Sequence, residues 1–292
     1  MFLIIGGDAE IGSAATDRLR AQDERVAATT RRLERAAPDR PFLDLSQPLD
    51  GWEPPPGTRA ACIVAAVSRL ADCQRDPAGS RHINVSQTLT VCGHLIDRGI
   101  YILFLSTNQV FDGTTPDVPA DAPTAPVSEY GRQKALVEAA LCGHLDRAAA
   151  VGILRLARVV SPRMALIHDW VGKLRAGRPI QAFHDMTLAP VPIELVADVI
   201  AHLLRDRLRG IFQLSGPKDV SYEAAGIHVA RRLRVSERLV EPTSARSAGM
   251  PEGSTPRHTT LDTTLLQMRY SLSVPDAAAV IDAALAPHLL AP

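Results

Sequence analysis

Lysine is scarce in this chain. Of its 32 basic residues three are lysines and 29 are arginines. Aromatic residues make up only 4%. Charge of one sign is absent as well, with 32 basic residues against 32 acidic ones. That balance excludes the basic footprint of a nucleic-acid binder and the acidic tract of a solvating tail. No apolar run is long enough to span a bilayer, so no membrane partner is expected. The opening "MFLIIGG" has no basic leader and no small-residue cleavage site, and reads as a strand rather than a signal peptide. Four cysteines, at 62, 73, 92 and 142, show no close pairing, which fits reduced thiols in a cytoplasmic protein. Nine histidines are scattered without metal-ligand spacing, so no metal site is expected.

What remains is an ordinary globular composition, 46% hydrophobic and 22% charged over 292 residues. That length suits one large domain or two interleaved ones. Apolar runs at 2–5, 26–30, 59–67, 101–107 and 150–160 read as strands. Segments with helical spacing separate them, and one, "HINVSQTLTVCGHLIDRG", ends on the helix-stopping Gly99. Such alternation predicts an α/β protein with a doubly wound parallel sheet of Rossmann type. The expected division is a nucleotide-binding domain over 1–162, with a return strand near 210–216. A smaller, interleaved C-terminal domain over 163–292 would hold the substrate. The stretch "EPTSARSAGMPEGSTPRHTT" reads as a loop.

Where the first strand meets the first helix stands "IIGGDAEIGSA". A turn with little side-chain bulk lets backbone N–H groups approach a pyrophosphate at the positive end of a helix dipole. Gly6, Ala9, Glu10, Ile11 and Gly12 are the candidates for that contact, with Ala9 where a glycine is usual. The second strand ends in "TTRR" and not in the acid that binds ribose hydroxyls in NAD-selective sites. Arg31 and Arg32 suit a 2′-phosphate by charge and geometry, so NADP(H) is preferred and NAD(H) remains open. In "FLDLSQP", Asp44 and Leu45 are placed near the adenine.

Tyr130 and Lys134, in "VSEYGRQKALVEAAL", share one helix face. An ammonium beside a phenol stabilises the phenolate and is expected to lower the tyrosine pKa toward working pH. A tyrosine so tuned exchanges a proton with a substrate oxygen, and the same ammonium can bind ribose hydroxyls. Upstream, at the end of the fourth strand, "LSTNQVFDG" puts Thr107 at the carboxyl edge where open α/β sheets bind ligands.

In order, "GGDAEIG", "VAAVSRLADCQRDP", "INV", "LSTNQVFDG", "YGRQK", "ILRLARVV" and "HTTLDTTLL" resemble the extended short-chain dehydrogenases. More narrowly they resemble the dTDP-4-dehydrorhamnose reductase (RmlD-like, sugar-nucleotide-binding) family, along essentially the whole chain. The resemblance implies Thr107, Tyr130 and Lys134 as a catalytic triad. It implies cofactor contacts from Gly6, Gly12, Ala65, Ala66 and Lys134, and substrate contacts from Thr107, Asn108 and Arg257. The implied reaction is reduction of a nucleotide-linked keto sugar by NAD(P)H. Three departures stand out: Asn108 replaces the usual acid, Arg158 replaces an aromatic, and Ala9 replaces a glycine. They leave the choice of keto sugar open. A non-catalytic regulatory subunit, an epimerase or dehydratase, and a reductase of a non-sugar carbonyl are the alternatives. Helix pairing into a homodimer is possible on the same resemblance.

Overall fold

The computed structural model describes residues 1–49, 51–143, 151–250 and 255–290. Among them the chain divides into two compact units, each built from several segments. The first comprises 1–111, 123–155 and 194–212, and the second 112–122, 156–193 and 213–292. The sequence boundary near 162 had given 112–122 to the first half and the helix after 193 to the second.

The first unit carries a sheet whose strands are β1 (Phe2–Ile5), β2 (Val26–Ala28), β3 (Ala60–Ile63), β4 (Tyr101–Thr107), β5 (Val151–Leu156) and β6 (Gly210–Leu214). Their order across the sheet is β2-β1-β3-β4-β5-β6. The pairs β1/β2, β1/β3 and β3/β4 are parallel. Every residue of β1, β3, β4 and β5 is buried, because helices cover both faces. This explains why these strands read as continuous apolar runs with no alternation. Strand order reverses between β1 and β3, and the crevice beside such a switch point is where doubly wound sheets bind ligands.

Strands β2, β3, β5 and β6 are shorter than the sequence runs suggested. β3 stops at Ile63 because Val64 and Ala65 both donate to the Ile5 carbonyl, at 2.9 and 3.0 Å, which ends the ladder. Of the run 150–160, Ala150 lies outside the described residues, and Ala157–Arg158 separate β5 from a two-residue strand at Val159–Val160. Beyond β2 the chain runs on as an irregular edge. Thr30 bridges Phe42 in parallel, Ala28 N and Thr30 N donate to the Asp39 and Pro41 carbonyls, and Leu43 N donates back to the Thr30 carbonyl.

The helices that frame the site are α1 (Glu10–Arg20), α2 (Leu70–Arg75), α3 (Pro77–Arg81), α4 (Thr88–Ile96) and α5 (Glu129–Cys142). Between α3 and α4 the chain winds as a π-helix over His82–Gln87, where the sequence predicts plain α-helix. α6 (Ala165–Arg175) belongs to the second unit, and α7 (Ile193–Asp206) lies almost wholly in the first. α7 is tied to the α1 region by Arg18–Asp198 and by Arg205–Glu24 at 3.2 Å, which gives Asp198 a structural role.

In the second unit α6 and α8 (Tyr222–Arg232) pack on the parallel pair Ile180–Phe183 and Val240–Thr243, with α9 (Ala277–Leu290) joining the same core. Trp170 is buried in that core, and Trp52 packs against the core of the first unit. The stretch 241–260 is not all loop: its start completes the Val240–Thr243 strand, and residues 251–254 lie outside the described residues. Asp185 fixes this region by accepting from Ser244 Oγ at 2.6 Å and Ala245 N at 2.7 Å. Among the described residues no helix is long and apolar enough to cross a membrane.

Candidate functional site

The turn after β1 is shaped by three glycines. Gly6 has φ +94°, and a Cβ there would meet Ala65 N at 2.7 Å. A Cβ on Gly12 would meet the Gly6 carbonyl oxygen at 2.2 Å. Gly7, which the sequence reading passed over, is equally constrained, since its Cβ would lie 2.7 Å from the Ala28 Cβ. The turn thus touches β2 on one side and the segment after β3 on the other. Gly6 N donates to Thr29 Oγ1 and Gly7 N to the Thr29 carbonyl, both at 3.0 Å. Ala9 stands at φ −77°, ψ 154°, which any L-residue adopts, so the missing central glycine costs the turn nothing. It also caps α1 without a side-chain hydrogen bond. Glu10 and Ile11 open the helix, and Thr16 Oγ1 donates to the Gly12 carbonyl at 2.7 Å. A backbone cradle that a Cβ would fill, at a helix N-terminus beside the switch point, fits a dinucleotide pyrophosphate.

On the flank of this turn, Thr29 and Thr30 are buried while Arg31 and Arg32 are exposed. Asp8 reaches across from the turn. Its carboxylate accepts from Thr30 Oγ1 at 2.7 Å and pairs with Arg40. Partial burial would raise the Asp8 pKa, but the hydrogen bonds from Thr30 and Arg40 and the charges of Arg40 and Arg32 outweigh it and hold it below the usual carboxylate value. Asp44 closes a local turn by accepting from Ser46 N and Oγ at 2.9 and 2.8 Å. Leu45 is a core residue, and Ala65 and Ala66 are half-buried.

Thr107 ends β4 and caps the short 3₁₀ turn Asn108–Val110, accepting from Gln109 N at 3.2 Å. Its hydroxyl lies 3.4 Å from Asn108 Oδ1. α5 begins at a Ser128 cap, whose hydroxyl accepts from Gly131 N at 3.0 Å. Gly131 is essential to this docking, because a Cβ would lie 2.0 Å from the Gln109 carbonyl oxygen. α5 therefore starts directly against the turn that carries Thr107, with Tyr130 in its first turn and Lys134 in its second.

Lys134 is only 3% exposed. Its Nζ donates to the Leu105 carbonyl at 2.7 Å and sits 4.4 Å from the Phe104 ring centroid and 5.9 Å from that of Tyr130. Burial drives its pKa from 10.5 down to about 8, opposed in part by the Glu138 charge. Burial, followed by the neighbouring Cys73, raises the Tyr130 phenol. This reverses the expected lowering: desolvation of the phenol outweighs an ammonium that is committed to a backbone carbonyl. The phenol therefore keeps its proton at neutral pH.

Several contributors have no local sequence signal. Buried Asn84, in the π-helix, donates from Nδ2 to the Val67 carbonyl at 2.9 Å and to Gln133 Oε1 at 2.7 Å. Its Oδ1 accepts from Val67 N at 2.7 Å. Gln133 passes the link to Ser80 Oγ at 2.8 Å and Glu129 at 3.0 Å. The segment after β3 is thereby locked to the helix that bears Tyr130 and Lys134. One turn on, Glu138 pairs with buried Arg155 of β5, with Nη2 at 2.8 Å and Nε at 3.1 Å.

Among residues proposed for the substrate, Asn108 is half-buried beside Thr107. Arg257 is exposed in the second unit. Its carbonyl accepts from Thr187 at 3.2 Å, and the segment it opens is anchored by Asp219, which takes Thr259 N at 2.8 Å and Thr259 Oγ1 at 2.6 Å.

Comparison with known proteins gives concordant results. The sequence profile of the family described as "RmlD substrate binding domain" matches residues 1–289. A curated relative, the "probable low-salt glycan biosynthesis reductase Agl14" of Haloferax volcanii, is 27% identical over 231 residues, 75% of each chain. The dTDP-4-dehydrorhamnose reductase of Bacillus anthracis, solved in complex with NADP, superposes with a TM-score of 0.81 at 15% identity over 98% of both chains. The UDP-glucose 4-epimerase of Thermus thermophilus, in complex with NAD, gives 0.80 at 19% identity over 97% of this chain and 98% of that one. At such identities the two structures establish the fold.

Proposed function

The chain belongs to the RmlD substrate binding domain family and is an NAD(P)-dependent oxidoreductase of the extended short-chain dehydrogenase type; from that premise we propose that it reduces the keto group of a nucleotide-linked 4-keto sugar. The observation that carries this reading is the meeting of α5 with the carboxyl end of β4. There the buried Lys134 donates to the Leu105 carbonyl two residues before Thr107, and Gly131, next to Tyr130, packs on the carbonyl of Gln109 in the turn that Thr107 caps.

NADPH held by the glycine turn would supply the hydride that the carbonyl carbon takes. Tyr130 donates its phenolic proton to the carbonyl oxygen, so the ketone gains one hydride and one proton and leaves as an alcohol. Thr107 donates a hydrogen bond to the same oxygen and orients it. Lys134 stabilises the phenolate left on Tyr130 and binds ribose hydroxyls. Gly6, Gly7 and Gly12 keep the pyrophosphate cradle open, with Ala9, Glu10 and Ile11 along its rim. Ala65 and Ala66 line the floor beside it, Asp44 and Leu45 border the adenine, and Arg31 and Arg32 take the 2′-phosphate, which favours NADP(H). Of the residues assigned to the sugar nucleotide, Arg257 takes the diphosphate and Asn108 the sugar. Asn108 and Gln109 stand where a dehydratase would place acids, which favours reduction over dehydration.

The test is loss of reduced-nicotinamide absorbance with purified protein, NADPH and a panel of nucleotide-linked 4-keto sugars. Tyr130→Phe is expected to lower turnover at least a hundredfold while binding NADPH as the wild type does. Cofactor binding with no turnover of any carbonyl in the panel would overturn the reductase reading in favour of a regulatory subunit.

A further inference from the structure

The end of β2 lacks the acid that reads ribose hydroxyls in many doubly wound proteins, yet a carboxylate stands there. Asp8, 22 residues upstream of Thr30, sends its Oδ2 to the Thr30 hydroxyl at 2.7 Å. Arg32 N in turn donates to Thr30 Oγ1 at 3.1 Å, so Arg32, Thr30 and Asp8 form a short relay. The other carboxylate oxygen, Oδ1, holds the Arg40 guanidinium. Arg40 is brought there by the irregular edge, where Thr30 N donates to the Pro41 carbonyl at 3.0 Å and Ala28 N to that of Asp39 at 3.0 Å. Asp8 lies inside the glycine turn, between Gly7 and Ala9. One side chain thus joins the pyrophosphate cradle to the cluster of arginines.

We infer that Asp8 is an internal counter-anion of the 2′-phosphate pocket: it holds Arg40, and a cofactor's 2′-phosphate must take this third arginine from it. The inference rests on the proposed use of Arg31 and Arg32 for NADP(H). A 2′-phosphate carries about −1.5 to −2 charges and forks well onto guanidinium groups. Beside Asp8 it meets a like charge and an arginine already engaged. A 2′-hydroxyl meets neither obstacle and gains an acceptor. Asp8 therefore narrows the preference for NADP(H) that the arginines create.

The test is calorimetric titration of the full chain with adenosine 2′,5′-bisphosphate and with 5′-AMP, which differ by the 2′-phosphate and need no turnover. Asp8→Asn keeps the shape of the side chain and removes its charge. It is expected to tighten the bisphosphate about fivefold while 5′-AMP changes less than twofold. Arg40→Ala is expected to weaken the bisphosphate selectively. If Asp8→Asn weakens the bisphosphate, or moves both ligands equally, the inference is overturned. If Arg31→Ala with Arg32→Ala erases the bisphosphate preference while Asp8→Asn does nothing, this inference fails and the NADP(H) reading stands. If the wild type binds both nucleotides equally and the double-arginine variant changes nothing, the NADP(H) reading fails and this inference falls with it.

Discussion

Replacing Lys134 by methionine should make the protein more stable at neutral pH while removing its activity. Burial moves the ammonium from 10.5 to about 8, a difference worth about 3 kcal/mol against the charged form. Methionine fills nearly the same volume without a charge, but it leaves the Leu105 carbonyl without its 2.7 Å donor, a loss of about 1 kcal/mol. The net expectation at pH 7 is a gain of about 2 kcal/mol, or roughly 5 °C in thermal midpoint for a chain of this size. The sign depends on pH. A lysine whose folded pKa lies below its unfolded value destabilises the fold fully below pH 8, where both states carry the proton. Between pH 8 and 10.5 the unfolded chain binds more protons, so wild-type stability rises through that window and the penalty is gone above it. Thermal melts of wild type and Lys134→Met from pH 7 to 10.5 should therefore converge. They should cross near the top of that range, once only the lost hydrogen bond remains. A variant already less stable at pH 7, or a difference that does not change with pH, would refute a charge held at a cost in this site.

Two further outcomes follow from the same geometry. Gly12→Ala forces a methyl group to 2.2 Å from the Gly6 carbonyl, so the turn must open; we expect a loss of about 1–3 kcal/mol in stability and no measurable NADPH binding by fluorescence titration. Glu138→Gln removes the carboxylate paired with the buried Arg155 guanidinium and should cost about 3–5 kcal/mol in urea unfolding, whereas Glu138→Leu with Arg155→Met should recover most of that loss.

Much of the fold was legible because burial on both faces writes itself into sequence. β4, seven residues all buried, can be read from "YILFLST" alone. The glycine turn was legible for a similar reason, since close backbone approach leaves few residue choices. Periodicity was silent on contacts between distant positions. The spacing of Tyr130 and Lys134 placed them on one helix face, but not the ammonium under a carbonyl 29 residues upstream. Nor could it show that Asn84 and Gln133, 49 residues apart, tie the segment after β3 to α5. The π-helical winding at His82–Gln87 shifts the helix register by one residue, and no local composition marks it. Gly7 was missed because its constraint comes from Ala28 on the neighbouring strand rather than from the turn itself.

The two large cations buried around α5 explain why an arginine-rich chain uses a lysine here. Arg155, 2% exposed, has a carboxylate at hydrogen-bonding distance, as a group that cannot shed its charge requires. Lys134, 3% exposed, has no carboxylate within 4 Å among the described residues, only a backbone carbonyl and an aromatic face. A guanidinium in that place would hold its full charge at any working pH and would need an anion that the site does not provide. An ammonium can be buried with partial compensation because its pKa falls, and it keeps donors for the ribose hydroxyls and phenolate proposed for it. If the lysine were structural, selection for stability would favour either a paired carboxylate or an apolar side chain. A buried cation with neither a carboxylate partner nor an apolar replacement is best explained by work that begins when a substrate oxygen and a nicotinamide ribose arrive beside Tyr130.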